Sequence, residues 1–249
     1  MPRLLRTSNL ALNSKTFDGH HAVADEAAMT LQGTVNKTGI LLVVAFLSSA
    51  WTWGLARSQP PEAVLSWILG AGFAGFLVAL LTVARKDLSP LTAPSYAVLE
   101  GLVMGGVSSL LDIRFPGIAI HAVGLTFGTL AVLLLAYATG LVRANEKLAT
   151  GIVAATGAIA VVYVVDLGLR FFGRQVPLIN DAGPWGIGVS LLIVAVAALN
   201  LILDFDFVRT GADEHAAKYM EWYGAFAILV TLIWLYFEVL RLLAKIRRR

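Results

Sequence analysis

The chain has 249 residues, 58% of them hydrophobic and only 14% charged, with a mean hydropathy of +0.78. Soluble domains carry roughly 25% charged residues, so a water-soluble fold is excluded. The net charge of +3 does not point to nucleic acid, because the Lys and Arg residues fall in short connections and at the ends, where membrane topology and anionic headgroups account for them; with no cysteine, disulfides and thiolate metal sites are excluded too.

In chain order, residues 1–37 form a polar arm with a basic start and no long apolar run, so no cleavable signal peptide is expected. Within it Val23, Ala27, Leu31 and Val35 recur every four residues, which leaves Ala22–Asn36 as either a helix lying on the membrane surface or a flexible arm with an apolar stripe. Seven nearly uncharged segments follow: Thr38–Ala56, Ala63–Ala84, Leu91–Leu111, Ile118–Val142, Leu148–Leu169, Trp185–Leu203 with its acidic extension to Phe207, and Trp222–Leu243. Each can cross a bilayer core, which takes about 20 residues of helix. The expectation is an all-α integral membrane protein with one seven-helix domain over 38–246, membrane lipid as its surroundings, and a basic tail at 247–249.

Counting Lys and Arg on alternate sides gives ten on the N-terminal side (Arg3, Arg6, Lys15, Lys37, Arg85, Lys86, Arg143, Lys147, Arg209, Lys218) and four opposite (Arg57, Arg114, Arg170, Arg174). The loops therefore favour a cytoplasmic N-terminus. The tail, with Arg241, Lys245, Arg247, Arg248 and Arg249, argues the other way unless the last segment is re-entrant; seven full spans is the preferred reading. Gly101-x-x-x-Gly105 and Gly124-x-x-x-Gly128 place glycines one turn apart, so the third and fourth spans are expected to pack closely on neighbours.

An ionisable group inside a span costs a few kcal/mol and is a functional candidate by default. Five acids qualify: Glu100, Asp166, Asp204, Asp206 and Glu238. Asp204 sits in an apolar run with Asn200 one turn before it, while Asp206, about 200° further round the helix, points the other way. Glu238 follows an aromatic stretch and either serves a site or pairs at the boundary with Arg241; Asp166 fits a boundary pair with Arg170; Glu100 needs a partner from another helix. No serine motif accompanies His121, and the other histidines lie in polar segments, so no enzyme and no cofactor are expected.

Leu203-Asp204-Phe205-Asp206-Phe207-Val208 and Tyr236-Phe237-Glu238-Val239-Leu240-Arg241-Leu242-Leu243 resemble the paired acidic motifs of the transmembrane Bax-inhibitor-motif family, including its bacterial YccA-like members. Met29–Thr38, Leu99–Leu102 and Tyr219–Tyr223 extend the similarity to essentially the whole chain. The resemblance implies a seven-helix fold with the last helix at its centre, a bacterial cytoplasmic-membrane location, and a pH-sensitive calcium leak whose proton sensor falls on Asp204 and Glu238. Three departures stand out: Glu238 replaces the usual Asp, the polar connection before the last span is longer, and the second span lacks the family's basic partner for the pair.

Two carboxyls brought together in an apolar bundle repel when both are charged, so they should titrate as a unit, closed while they share a proton and offering hard oxygen ligands to Ca²⁺ once it is lost. On this reading Asp204 and Glu238 gate, Asp206 and Asn200 add oxygens, and Glu100 lies elsewhere on the path. A simple hairpin with the sixth span ending near Asp204 would leave the pair some 22 Å apart in height. The competing classes are an intramembrane hydrolase, a non-transporting modulator of a membrane protease or channel acting through its arm, and a proton-coupled cation exchanger.

Overall fold

The computed structural model describes residues 28–248, so the Ala22–Ala27 part of the candidate surface helix lies outside the described residues. Seven helices are long and apolar enough to cross a membrane. They are α1 (Leu31–Ala56), α2 (Pro61–Ala84), α3 (Ser89–Arg114), α4 (Ile118–Ala138), α5 (Glu146–Phe171), α7 (Pro184–Asp213) and α8 (Met220–Arg247), with a short α6 (Pro177–Asn180) before α7.

Local chemistry sets the ends. Thr30 caps α1 by accepting from the Gly33 amide, and Asn145 caps α5 through Leu148. Pro61 and Pro184 sit in the first turns of α2 and α7, where a missing N–H costs nothing. Gly117 turns left-handed (φ 79°) between α3 and α4, with its amide donating to Asp112 Oδ1 at 2.8 Å. Gly140 (φ 73°) stops α4 at Ala138, four residues before the apolar run itself ends at Val142.

Two sequence expectations are corrected at the helix ends. Leu31–Asn36 does not lie on the surface as a separate helix; it forms the opening turns of α1, continuous with the first span. The sixth span does not stop at Phe207. Its helix continues to Asp213, where Arg209 and Asp213 are one turn apart and Thr210 Oγ1 donates to the Asp206 carbonyl. Charge marked the exit from the membrane, not the end of the helix. His215, at φ 55°, then closes α7 with the Ala216 amide donating back to Gly211.

The last helix is central: α8 packs on α1, α3, α4 and α7, and its buried residues lie all round it. In contrast, α2 and α5 expose most of their surface, α2 packing mainly on α3 and α5 on α7. The glycines of the third span meet α1 at backbone contact, since a Cβ on Gly101 would fall 2.4 Å from the Ala45 carbonyl oxygen and one on Gly105 2.1 Å from that of Ser49. Those of the fourth span correct the expectation, because a Cβ on Gly124 or Gly128 meets nothing within 4 Å. They form no packing face in this bundle.

The re-entrant alternative for the last segment is also set aside. The start of α1 is joined to the α7–α8 connection, Met29 N donating to Ala216 O at 2.7 Å, whereas Arg247 at the far end of α8 donates to the carbonyl oxygens of Phe115 and Pro116 in the α3–α4 connection. With α8 unbroken between them, the chain ends on the face of the bundle opposite to the start of α1.

Candidate functional site: a buried polar column beside the last helix

On α8, Thr231, Glu238 and Lys245 are seven residues apart, two turns each, and so share one face with a drift of only about 20° per step. All three are buried. Against them runs α7 in the opposite direction. Thr231 Oγ1 donates to Asp204 Oδ2 at 2.5 Å, and the Lys245 ammonium donates to Ser190 Oγ at 2.7 Å and to the Gly186 carbonyl at 2.9 Å. Between those levels Asn200 Nδ2 donates to Thr156 Oγ1 of α5 at 2.9 Å and to the Val196 carbonyl at 2.8 Å.

Glu238 completes the column. It is 2% exposed and accepts from Tyr163 Oη of α5 at 2.7 Å and from Arg241 at 3.3 Å to both oxygens. Arg241 also donates to the Tyr163 hydroxyl and lies 4.9 Å from the centre of that ring. The distance from Thr231 to Lys245 along α8 is about 21 Å, most of a hydrocarbon core. Helices α5, α7 and α8 thus enclose a file of hydroxyl, carboxyl, amide and ammonium groups inside an otherwise apolar bundle, a setting in which every polar group needs a partner.

The hydrogen bonds place Asp204 at the level of Thr231, two turns of α8 from Glu238, or about 10 Å along the axis. The extension of α7 to Asp213 reduces the separation from the 22 Å of a simple hairpin, but two turns of α8 still lie between the levels of the two carboxyls, too far for the shared proton expected of a touching pair. Asp204 is fully buried, and Thr231 links it to α8.

The remaining acids lie elsewhere. Asp206 faces α4, where Tyr137 Oη donates to it at 3.1 Å, in keeping with the opposite helix face. Glu100 lies against Gly75 of α2, away from the column. Asp166 pairs with Arg170 at 2.8 Å and also accepts from the Val176 amide and Asn180, tying the end of α5 to the loop and α6 beyond it. Among the described residues no three His, Asp or Glu side chains converge as a metal site.

Sequence reading missed a further buried carboxylate, placing Glu221 in a polar connection. In the fold it is fully buried in the first turn of α8. It accepts from the Thr30 amide at 2.9 Å, the Thr30 hydroxyl at 2.8 Å, Lys218 at 2.8 Å and Lys37. The available signal was that Met29–Thr38 and Tyr219–Tyr223 both stood out, and these two segments meet here. Thr156, Tyr163, Thr231 and Lys245 were missed as well; the seven-residue spacings, 156 to 163 on α5 and 231 to 238 to 245 on α8, could have revealed them.

Seven crossing helices, the last of them buried at the centre, with ionisable groups in the interior, define a polytopic membrane protein. Within that class, the Bax inhibitor 1 like family matches residues 9–248, nearly the whole chain, and the protein belongs to it. No curated protein and no solved structure matches the chain.

Proposed function

We propose that the protein is a pH-sensitive calcium leak, with Asp204 and Glu238 as the gating carboxylates. The observation that carries this reading is the buried column itself, in which two acids share one interhelical seam with Asn200, Thr156 and Tyr163. Two unit charges about 10 Å apart at an effective dielectric of about 20 repel by roughly 1.7 kcal/mol, enough to couple their ionisation. While one of them holds a proton, Thr231 keeps Asp204 fastened to α8 and the seam stays packed. When both are ionised, repulsion works against the seam, and the carboxylate oxygens become stations for Ca²⁺, which prefers hard oxygen ligands. Calcium is the cargo, and the role needs no covalent chemistry and no cofactor.

Arg241 takes the part of the cation that the second span lacks. It offsets the Glu238 charge in the resting state, so flux should rise as whichever of Asp204 and Glu238 holds the proton loses it. We place the protein in the bacterial cytoplasmic membrane with its N-terminus cytoplasmic, on the loop charges; in the basic tail Arg241 and Lys245 are committed to bundle contacts.

The test is Ca²⁺ efflux from liposomes holding the purified chain, followed across pH. Asp204→Asn and Glu238→Gln should each flatten the pH profile. If both leave rate and profile unchanged, the gate is wrong. Flux that needs a pH gradient, not merely a pH, identifies a proton-coupled exchanger instead, and a folded protein with no flux identifies a non-transporting modulator.

A further inference from the structure

Three helices enclose the polar column, and one of them is joined to the bundle differently from the other two. Of the 26 residues of α5 only Ala149, Ile152 and Asp166 are buried. Among the described residues, α5 alone of the seven spans contributes nothing to the central apolar core around α8, whereas α7 and α8 both supply large parts of it. Its apolar contact is a separate small patch, Ala149 and Ile152 with Leu203 of α7. Such a patch holds weakly in a bilayer, because lipid tails replace it without the penalty that water would impose.

The polar attachments of α5 are unevenly placed. At its Phe171 end they form a knot: Asp166 accepts from Arg170, from the Val176 amide and from Asn180, each at 2.8 Å. The chain then runs tightly into α7, where a Cβ on Gly186 would lie 2.1 Å from the Asp181 carbonyl oxygen. Tyr163, one turn from Asp166, stays with this knot and donates to Glu238 at 2.7 Å. Thr156 lies about 15 Å further along the helix. There the bond across the seam is the single one that Thr156 Oγ1 accepts from Asn200 Nδ2 at 2.9 Å. Next to it the patch covers α7 at Leu203, beside Asp204.

We propose that α5 is the movable wall of the column. It turns about the Asp166 knot, and the Thr156–Asn200 bond is the latch whose release parts α5 from α7 and admits water and ions to Asn200 and Asp204. Helices α7 and α8 cannot move apart in this way without opening the central core to which both belong. A tilt of α5 exchanges a small patch and one hydrogen bond for contacts with lipid. The inference rests on the column being the ion route, and its test separates the two.

The chain has no cysteine, so one introduced thiol reports on one place. Ala149→Cys puts it under the α5–α7 patch, and Ala225→Cys puts it in the central core near the start of α8, at a site equally buried. The full chain in liposomes is treated with N-ethylmaleimide and the rate of alkylation is read. Adding Thr156→Val should accelerate the thiol at 149 about 3-fold, the worth of one interhelical hydrogen bond in a bilayer. Thr156→Ser should return it to the original rate, and the thiol at 225 should not respond. An unchanged rate at 149, or equal acceleration at both sites, overturns the movable wall. Ca²⁺ efflux from the same liposomes should also rise about 3-fold with Thr156→Val. If efflux keeps its original rate while the thiol at 149 accelerates, α5 is not the wall of the ion route and the proposal falls. An accelerated thiol with no efflux from any form upholds the movable wall and overturns the calcium reading. Efflux with the expected pH response but an unchanged thiol does the reverse.

Discussion

Glu221 and Glu238 are both buried glutamates on α8, about five turns apart, and their surroundings differ in one respect that decides what each can do. Glu221 accepts from an amide, a hydroxyl and two ammonium groups. Its lone pairs are saturated, and the donors come from three segments that it holds together: the end of the arm, α1 and the α7–α8 connection. Glu238 has one phenol and one guanidinium, and that guanidinium is itself partly exposed, its side chain 41% accessible. A carboxylate held by four donors is a fastening. One held by two, with a further acid along the same seam, is less firmly tied, as the proposed gate requires.

Glu221→Gln should therefore have the largest effect on stability. It removes the charge that Lys37 and Lys218 surround and leaves a buried network half satisfied, a change that costs about 3 kcal/mol when exposure of the cations is allowed for. Thermal unfolding in detergent measures it, and Glu238→Gln should lose clearly less under the same conditions. If the two variants unfold together, the contrast between fastening and switch fails.

Gly33→Ala tests the same clamp from the other side. A Cβ there would lie 2.1 Å from Glu221 Oε1, and the carboxylate cannot swing away without abandoning its donors. The expected loss is about 1–3 kcal/mol, the usual range for overpacking. Gly124→Ala, facing open space, should be neutral in the same assay.

Tyr163→Phe comes third. It removes one hydrogen bond to Glu238 and leaves the ring under Arg241 in place, so stability should fall by only about 1 kcal/mol while the pH midpoint of Ca²⁺ efflux moves. An unchanged midpoint would confine Glu238 to a structural pairing with Arg241.

The architecture was legible in the sequence because apolar length and turn residues are local quantities. The seven spans, the buried Asp204, and the boundary pair of Asp166 with Arg170 all follow from runs of a single helix. The helix ends were less so, since a charge such as Arg209 reports where water begins and α7 continues into water to Asp213. Partners were the least legible. Nothing local to Glu221 names Thr30 or Lys37, because the bond is made by bringing the two ends of the chain together; and nothing local to Gly124 says that its face lacks a neighbour.

The smallest effect expected is that of Asp206→Asn, and it bears on which face of α7 matters. Asp206 is two residues from Asp204, about 200° round the helix, so its carboxylate turns to Tyr137 of α4 and not to the seam with α8. Asparagine retains an oxygen that can accept from Tyr137 at nearly the same place, so stability should change by no more than about 0.5 kcal/mol. Because the charge lies outside the column, the pH profile of efflux should also keep its shape. The informative comparison is with Asp204→Asn, the same chemical change one step away on the same helix. If only the Asp204 variant flattens the profile, the response belongs to the face of α7 that meets α8. If Asp206→Asn flattens it equally, the sensing region must extend round α7 to α4, and the column is only part of it.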